Sequence, residues 1–120
     1  MKLRVLVCDD SMLIRKKMKD LLESLECCVF EAQNGNEGLE MYKNNKPQAV
    51  FMDIVMPETD GLEALKLIRE FDAAAKVIML SSAGTATKVL EALKGGAIDF
   101  IQKPFNEEQI KEALIKVARA

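Results

Sequence analysis

The feature that most constrains the fold is a regular alternation of short apolar runs with segments of helical periodicity. The runs are four to six residues long and rich in valine, isoleucine, leucine and methionine, as buried strands are. They occupy Leu3–Cys8, Cys28–Ala32, Ala49–Met52, Val77–Leu80 and Ile98–Ile101. Because strand and helix alternate five times, the sequence predicts an α/β fold with a parallel sheet and helices on both of its faces.

The segments that follow the runs have apolar residues spaced by three and four, as one face of a helix requires. The predicted helices are Ser11–Ser24, Glu37–Tyr42, Leu62–Phe71, Ala86–Lys94 and a last one capped by Asn106. Asn34-Gly35 predicts a turn, Asp60 an N-cap, and Gly95-Gly96 a helix end. The residues of the third helix that are expected to face inward are Leu62, Leu65, Ile68 and Phe71.

The composition excludes several classes of function. The chain has 120 residues, which suit one domain spanning residues 1–120. Its net charge of −2 argues against direct nucleic-acid binding, and no apolar run approaches the roughly 20 residues that span a membrane. Without histidine, the chain cannot build a Ser-His-Asp or Cys-His nucleophile or a histidine zinc site. No signal peptide precedes the first strand, so we expect a cytoplasmic protein.

The cysteines agree with a reducing compartment. Cys8 lies in an apolar run, Cys27 and Cys28 are adjacent, and no C-x-x-C pair occurs. We therefore expect three core residues rather than a disulfide or a zinc site.

Polar side chains follow four of the five predicted strands. They are Asp9 and Asp10 after the first strand, Asp53 after the third, Ser81 after the fourth and Lys103 after the fifth. The carboxyl ends of parallel strands form the edge at which open sheets bind ligands. The three aspartates lie together if the first and third strands are neighbours, an arrangement taken from known sheets of this class rather than from these residues. Taken singly, each residue is explained as a turn residue, a helix cap or a solvated charge. Their combination at one edge of the sheet indicates a ligand-binding site.

Such a cluster points to a particular chemistry. Three close carboxylates raise one another's pKa unless a cation neutralises them, and Mg²⁺ prefers oxygen ligands of this kind. An aspartate beside the ion can act as a nucleophile and form an acyl phosphate. The ammonium of Lys103 and the hydroxyl of Ser81 are suitable donors to the transferred group. The sequence therefore predicts an aspartyl-phosphate site.

Longer segments around these residues match a known family. The segments are Val7–Ser11, Met52–Pro57 with Asp60-Gly61, Ile78–Gly84 and Gly96–Phe105. In this order and spacing, the chain resembles the response-regulator receiver domains, especially the stand-alone chemotaxis (CheY-like) members, over essentially its whole length. The resemblance implies a flavodoxin-like (βα)5 fold, which is a doubly wound parallel sheet of five strands in the order 2-1-3-4-5.

The resemblance also implies a role for each site residue. Asp53 corresponds to the phosphoacceptor, Ser81 to the residue that bonds the phosphoryl group, and Lys103 to the residue that pairs with it. The implied Mg²⁺ ligands are Asp53, Asp10 directly, Asp9 through a water, and the backbone carbonyl of Val55. Pro104 corresponds to a proline that follows a cis peptide bond.

A switch is implied as well. Ser81 moves toward the phosphoryl group, and Phe100, at the family's aromatic switch position, turns inward. The face that changes comprises the fourth helix, fifth strand and fifth helix, about Thr87–Lys94, Phe100 and Ile110–Val117. Departures from the common family pattern are Phe100, which lacks the hydroxyl of tyrosine, and Ser82, where alanine is common. Val55 and Ala83, which flank the site, are apolar.

The implied partners are a sensor histidine kinase or phosphotransfer protein, which donates from phosphohistidine, and an unidentified downstream protein. Small acyl phosphates are further candidate donors. We expect a monomer or a weak phosphorylation-dependent dimer. Arg15, Lys16 and Lys19 on the first helix form either a kinase-docking face or, more simply, a solvated face. With Met1 just before the first strand and Ala120 just after the last helix, a free-standing regulator is expected; the alternative is a receiver excised from a longer protein.

Three other interpretations compete. A haloacid-dehalogenase-type phosphohydrolase needs a second acid two residues after its nucleophile, where this chain has Val55. A flavodoxin-like cofactor module needs a hydroxyl- and glycine-rich phosphate loop, where this chain has Asp9 and Asp10. A phosphorylation-independent pseudo-receiver is the remaining alternative, although it has no need for the complete set of site residues.

Overall fold

The computed structural model describes residues 2–82 and 85–119. Strands and helices alternate throughout these ranges, as the sequence predicts. The elements are β1 Arg4–Cys8, α1 Met12–Ser24, β2 Cys28–Ala32, α2 Gly35–Asn45, β3 Ala49–Asp53, α3 Gly61–Phe71, β4 Val77–Ser81, α4 Ala86–Lys94, β5 Asp99–Gln102 and α5 Glu107–Arg119. Their ends differ from the predicted ends by a residue or a few, which is the usual scatter at element boundaries.

The sheet is parallel, and its strand order is β2-β1-β3-β4-β5, which confirms the predicted doubly wound fold. Cys8 at the end of β1 pairs with Met52 of β3. Asp9 and Asp53, the next residues along the two strands, therefore come to the same point on the sheet edge.

Each face of the sheet is covered by its own apolar cluster. Residues of α2, α3 and α4, among them Tyr42, Ile68 and Ala92, pack on one face. Residues of α1 and α5, among them Met18 and Ile110, pack on the other. Because β3 and β4 are buried on both faces, their first four residues are continuously apolar instead of alternating.

The turn predicted at Asn34-Gly35 is wrong, because α2 already begins at Gly35. The side chain of Asn34 caps the helix by accepting the Glu37 N–H at 2.8 Å. Asparagine favours both turns and N-caps, so the residue type alone does not separate the two. Gly35 suits the position because a Cβ there would lie only 2.8 Å from Cγ2 of Thr59 and closer still to its carbonyl oxygen.

Two inward-facing predictions are also wrong. Phe71 is 46% exposed and packs edge-on against Tyr42 of α2, with ring centroids 6.3 Å apart, whereas Leu65 and Ile68 are buried as predicted. Periodicity shows the apolar stripe of a helix but not whether a residue at its end meets the sheet or a neighbouring helix. Cys28 is exposed, unlike Cys8 and Cys27, because it begins an edge strand that pairs with β1 alone.

A partly buried hydrogen bond from the Tyr42 hydroxyl joins α2 to the end of α3, and its removal tests this packing. Tyr42, 2% exposed, donates to Oδ2 of Asp72 at 2.7 Å. Tyr42→Phe is expected to lower the free energy of unfolding by about 1 kcal/mol at neutral pH. The hydrogen bond from Tyr42 holds the pKa of Asp72 below its usual 3.8.

The sign of the pH effect follows from that lowered pKa. Stability from a carboxylate with a lowered pKa is present above its unfolded value and is lost as pH falls through its folded value. The difference between wild type and Tyr42→Phe should therefore be full at pH 7 and shrink below about pH 4. Urea unfolding followed by circular dichroism at pH 7 and pH 3 measures it. A difference that is the same at both pH values would show that Asp72 does not carry the effect, and Asp72→Asn is the matched control.

Candidate functional site

Three of the predicted site residues meet at the carboxyl edge of the sheet. Asp9 follows β1 and is fully buried, Asp53 ends β3 and is 5% exposed, and Lys103 follows β5. The ammonium of Lys103 lies 2.7 Å from Oδ2 of Asp9 and 3.4 Å from Oδ2 of Asp53. The peptide bond between Lys103 and Pro104 is cis, as the resemblance implies. One lysine thus bridges two buried carboxylates that come from the first and third strands.

Asp10 completes a cluster of carboxylates. One oxygen from each of Asp9, Asp10 and Asp53 lies within 4.8 Å of the others. Asp10 is exposed, so the cluster opens to solvent on its side. Carboxylate oxygens at this spacing, with access for water, suit a small divalent ion such as Mg²⁺, which keeps several water ligands. These residues therefore fit the ion that the sequence predicts.

Ionisation of Asp53 is unfavourable in the protein without a bound metal ion. Burial and the negative charge of Asp9 raise the pKa of Asp53 to about 6, although Lys103 and the Val55 N–H oppose this rise. Burial by itself would lower the pKa of Lys103, but the hydrogen bond to Asp9 and the charges of Asp53 and Asp9 raise it above its usual value. Lys103 therefore stays protonated, and a further cation would relieve the remaining repulsion between the carboxylates.

Ser81 and Phe100 line one small cavity near the ends of β4 and β5. Ser81 ends β4 and is buried, and its carbonyl accepts the Lys103 N–H at 2.7 Å. Phe100 is 42% exposed. The cavity has a volume of about 210 Å³, and its other lining residues include Thr85 and Val89 of the α4 region. The two predicted switch residues thus line the same cavity. Ala83 and Gly84, which belong to the same motif, lie outside the described residues.

The loop between β3 and α3 is held by backbone hydrogen bonds. The Gly61 N–H donates to the Ile54 carbonyl at 2.8 Å, and the Gly35 N–H donates to the Thr59 carbonyl at 3.0 Å. Val55 in this loop is 48% exposed, and its N–H lies 3.4 Å from Oδ1 of Asp53. These contacts attach the loop after Asp53 to the starts of α2 and α3.

Comparison with known proteins decides the family. A family model described as the response regulator receiver domain matches residues 5–115. The chain belongs to this family.

Individual relatives of this receiver domain are chemotaxis proteins. The chain is 45% identical to the chemotaxis protein CheY of Thermotoga maritima over 117 residues, which are 97% of this chain and 98% of the relative. It is 44% identical to the CheY of Bacillus subtilis over 115 residues, or 94% and 95% of the two chains. It is also similar to a chain in the crystal structure of a CheX–CheY–BeF3–Mg²⁺ complex from Borrelia burgdorferi. That similarity has a TM-score of 0.90 and 34% identity, and it covers 97% of this chain and 89% of the other.

Two residues of this receiver domain contact the backbone around the site in a way that the sequence does not reveal. Gly61 is visible only as part of a motif, although its lack of a side chain lets α3 begin against Asp53. Arg15 looks like one of several basic residues on α1, although its guanidinium reaches the loop that contains Asp9. The signal that could have found Arg15 is the direction of its side chain, because side chains on a helix lean toward its N-terminus, and Asp9 precedes the N-terminus of α1.

Two further observations concern the rest of the surface. One groove of about 830 Å³ lies between α3 and α4 and is lined by side chains of both charges, and none of its lining residues belongs to the aspartate cluster. Within the described residues, none of the helices is both long and apolar enough to cross a membrane.

Proposed function

We propose that this receiver domain, taken as one domain over residues 1–120, accepts a phosphoryl group on Asp53 in an Mg²⁺-dependent reaction. The donor is a phosphohistidine of a sensor histidine kinase or a phosphotransfer protein. The observation that carries this proposal is the position of Asp53, buried beside Lys103 in a carboxylate cluster that opens to solvent at Asp10. The family, a signalling domain rather than a conventional enzyme, supports it.

The chemistry assigns a task to each group. A carboxylate oxygen of Asp53 attacks phosphorus, the P–N bond to histidine breaks, and its electron pair leaves with the imidazole nitrogen. Lys103, already 3.4 Å from Asp53, then pairs with the phosphoryl group, and the Ser81 hydroxyl donates to it. When bound, Mg²⁺ supplies charge neutralisation for the carboxylates and the phosphoryl oxygens.

The proposed ligands of that Mg²⁺ ion are the residues implied by the family. They are Asp53, Asp10 directly, Asp9 through a water, and the backbone carbonyl of Val55. The Mg²⁺ in the name of the Borrelia burgdorferi complex supports this choice of metal.

Phosphorylation then shifts a surface. The modification adds about −1.5 to −2 charges at neutral pH, which attracts Ser81 and draws the loop after β4 toward Asp53. Phe100 turns into the cavity that it shares with Ser81. The face of α4, β5 and α5, where Leu90, Phe100 and Ile115 are exposed, changes for a partner protein. The CheY relatives make chemotaxis signalling in the cytoplasm the proposed setting, with a monomer or a weak phosphorylation-dependent dimer as the active form.

The test is incubation of the wild-type protein with a small acyl phosphate, with Mg²⁺ or with a chelator, followed by intact mass. One added phosphoryl group, dependent on Mg²⁺ and labile in base, is the expected result. Amide hydrogen exchange of the same sample should change in α4, β5 and α5. If Mg²⁺ binds but no adduct forms, the proposal fails and the pseudo-receiver alternative, which signals by binding alone, replaces it.

A further inference from the structure

Arg15 is turned away from the solvated face of α1. Its side chain is 13% exposed, whereas that of Lys16 is 73% exposed. Nη1 of Arg15 donates to the backbone carbonyl of Asp9 at 2.7 Å, and Nε donates to Oε1 of Glu31 on β2 at 3.3 Å. Arg15 thus joins α1, β2 and the loop after β1, which is inconsistent with a purely solvated role.

The backbone of Asp9 is bonded in both directions. Its N–H donates to the Ala32 carbonyl of β2 at 3.1 Å, and its carbonyl accepts from Arg15. One oxygen of its carboxylate accepts the Ser11 N–H at 2.9 Å, and the other accepts from Lys103 at 2.7 Å. The Asp9 carbonyl belongs to the peptide unit that leads into Asp10. Its orientation therefore sets where the Asp10 backbone begins and where the Asp10 carboxylate can reach.

We propose that Arg15 is a positioning residue for the metal site. By holding the Asp9 carbonyl, it fixes the Asp9–Asp10 peptide and so aims the Asp10 carboxylate at the ion. The inference rests on the proposed function, because it takes Mg²⁺ to bind this cluster. Arg15 is not among the proposed ligands and acts through the Asp9–Asp10 backbone, in the way that outer groups orient metal ligands in other proteins.

A purely electrostatic role and a positioning role of Arg15 predict opposite effects of its substitution on Mg²⁺ affinity. Arg15 is a cation whose guanidinium contacts the backbone of Asp9, so removing its charge makes the local potential more negative. If charge were its only contribution, neutral substitutions would tighten Mg²⁺ binding. If it positions Asp10, the same substitutions weaken binding, since the ligand samples other orientations. The sign of the change therefore separates the two roles.

The experiment compares Mg²⁺ titrations of wild type, Arg15→Gln, Arg15→Lys and Lys16→Gln, followed by amide chemical shifts in nuclear magnetic resonance. Arg15→Gln is expected to weaken Mg²⁺ binding about 10-fold, the low end for loss of an outer-sphere partner. Arg15→Lys keeps the charge but cannot donate to both the Asp9 carbonyl and Glu31 as the guanidinium does, so it should recover only part of the Mg²⁺ affinity. Lys16→Gln removes a charge from the same helix without touching Asp9 and should stay close to wild type.

A second readout needs no metal. The Ser11 amide, which donates to Asp9, should exchange with solvent faster in Arg15→Gln than in wild type, while amides of β3 and β4 keep their protection. This separates a loosened loop from a general loss of stability. If Arg15→Gln does not fold, Arg15→Lys provides the same comparison with smaller changes.

The outcomes distinguish this inference from the proposed function. If wild type binds no Mg²⁺, the metal site itself is overturned, and the role of Arg15 falls with it. If wild type binds Mg²⁺ and Arg15→Gln binds it equally well or more tightly, the role of Arg15 alone is overturned. Weaker binding together with faster Ser11 exchange supports the positioning role.

Discussion

Asp53→Asn is expected to abolish phosphoryl uptake from an acyl phosphate. Asparagine keeps the shape of the side chain but has no anionic oxygen to attack phosphorus, so the bond cannot form. The variant should fold at least as stably as wild type, because burial and the charge of Asp9 already make an ionised Asp53 costly in the metal-free protein. Loss of the adduct would then report chemistry rather than unfolding. Intact mass and urea unfolding measure the two quantities.

Asp60→Asn is the matched control for this experiment. It removes one carboxylate seven residues further along the chain, where the side chain caps α3 by accepting the Glu63 N–H at 3.0 Å. Asparagine caps helices about as well as aspartate, so both fold and phosphoryl uptake should remain. An adduct on Asp53→Asn at the wild-type level would contradict the assignment and place the acceptor on another residue, with Asp9 and Asp10 as the first to examine.

Gly61→Ala is expected to cost roughly 3 kcal/mol of unfolding free energy or more, near the upper range for overpacking. A Cβ at Gly61 would lie 2.8 Å from Cα of Ile54 and closer still to the carbonyl oxygen of Asp53. Both are backbone atoms, so no flexible side chain can move aside. The backbone after Asp53 must shift, and any folded fraction should therefore take up phosphate more slowly than wild type. Urea unfolding and the time course of the adduct measure these effects.

Gly95→Ala is the control for the loss of glycine. Gly95 follows α4 with φ −79° and ψ 0°, which alanine adopts readily, and the nearest atom to its added Cβ would be the Glu91 carbonyl oxygen at 3.3 Å. We expect a change of less than about 1 kcal/mol in either direction. If both glycine variants lost the same stability, the close approach of α3 to Asp53 would not be the cause.

The sequence by itself determined the fold class and predicted that Asp9, Asp53 and Lys103 lie at one edge of the sheet. Continuous apolar runs such as Val77–Leu80 arise because a central parallel strand is covered on both faces, and this leaves a readable pattern. Asp9 and Asp53 follow such strands directly, so their position at the ligand-binding edge is a consequence of strand direction. The role of Val55 as a metal ligand came from resemblance alone, whereas that of Ser81 as a donor follows from its position at the end of β4; both roles stay predictions.

Only the tertiary structure decided which contacts the predicted residues make. Phe71 has the spacing of an inward-facing residue, yet it packs on Tyr42. Arg15 lies among exposed lysines in the sequence of α1, yet its side chain donates a hydrogen bond to the Asp9 carbonyl. Local periodicity reports which side of a helix is apolar or charged. It does not report which neighbour stands opposite, because that neighbour lies far away in the chain and is brought there by the packing of the whole sheet.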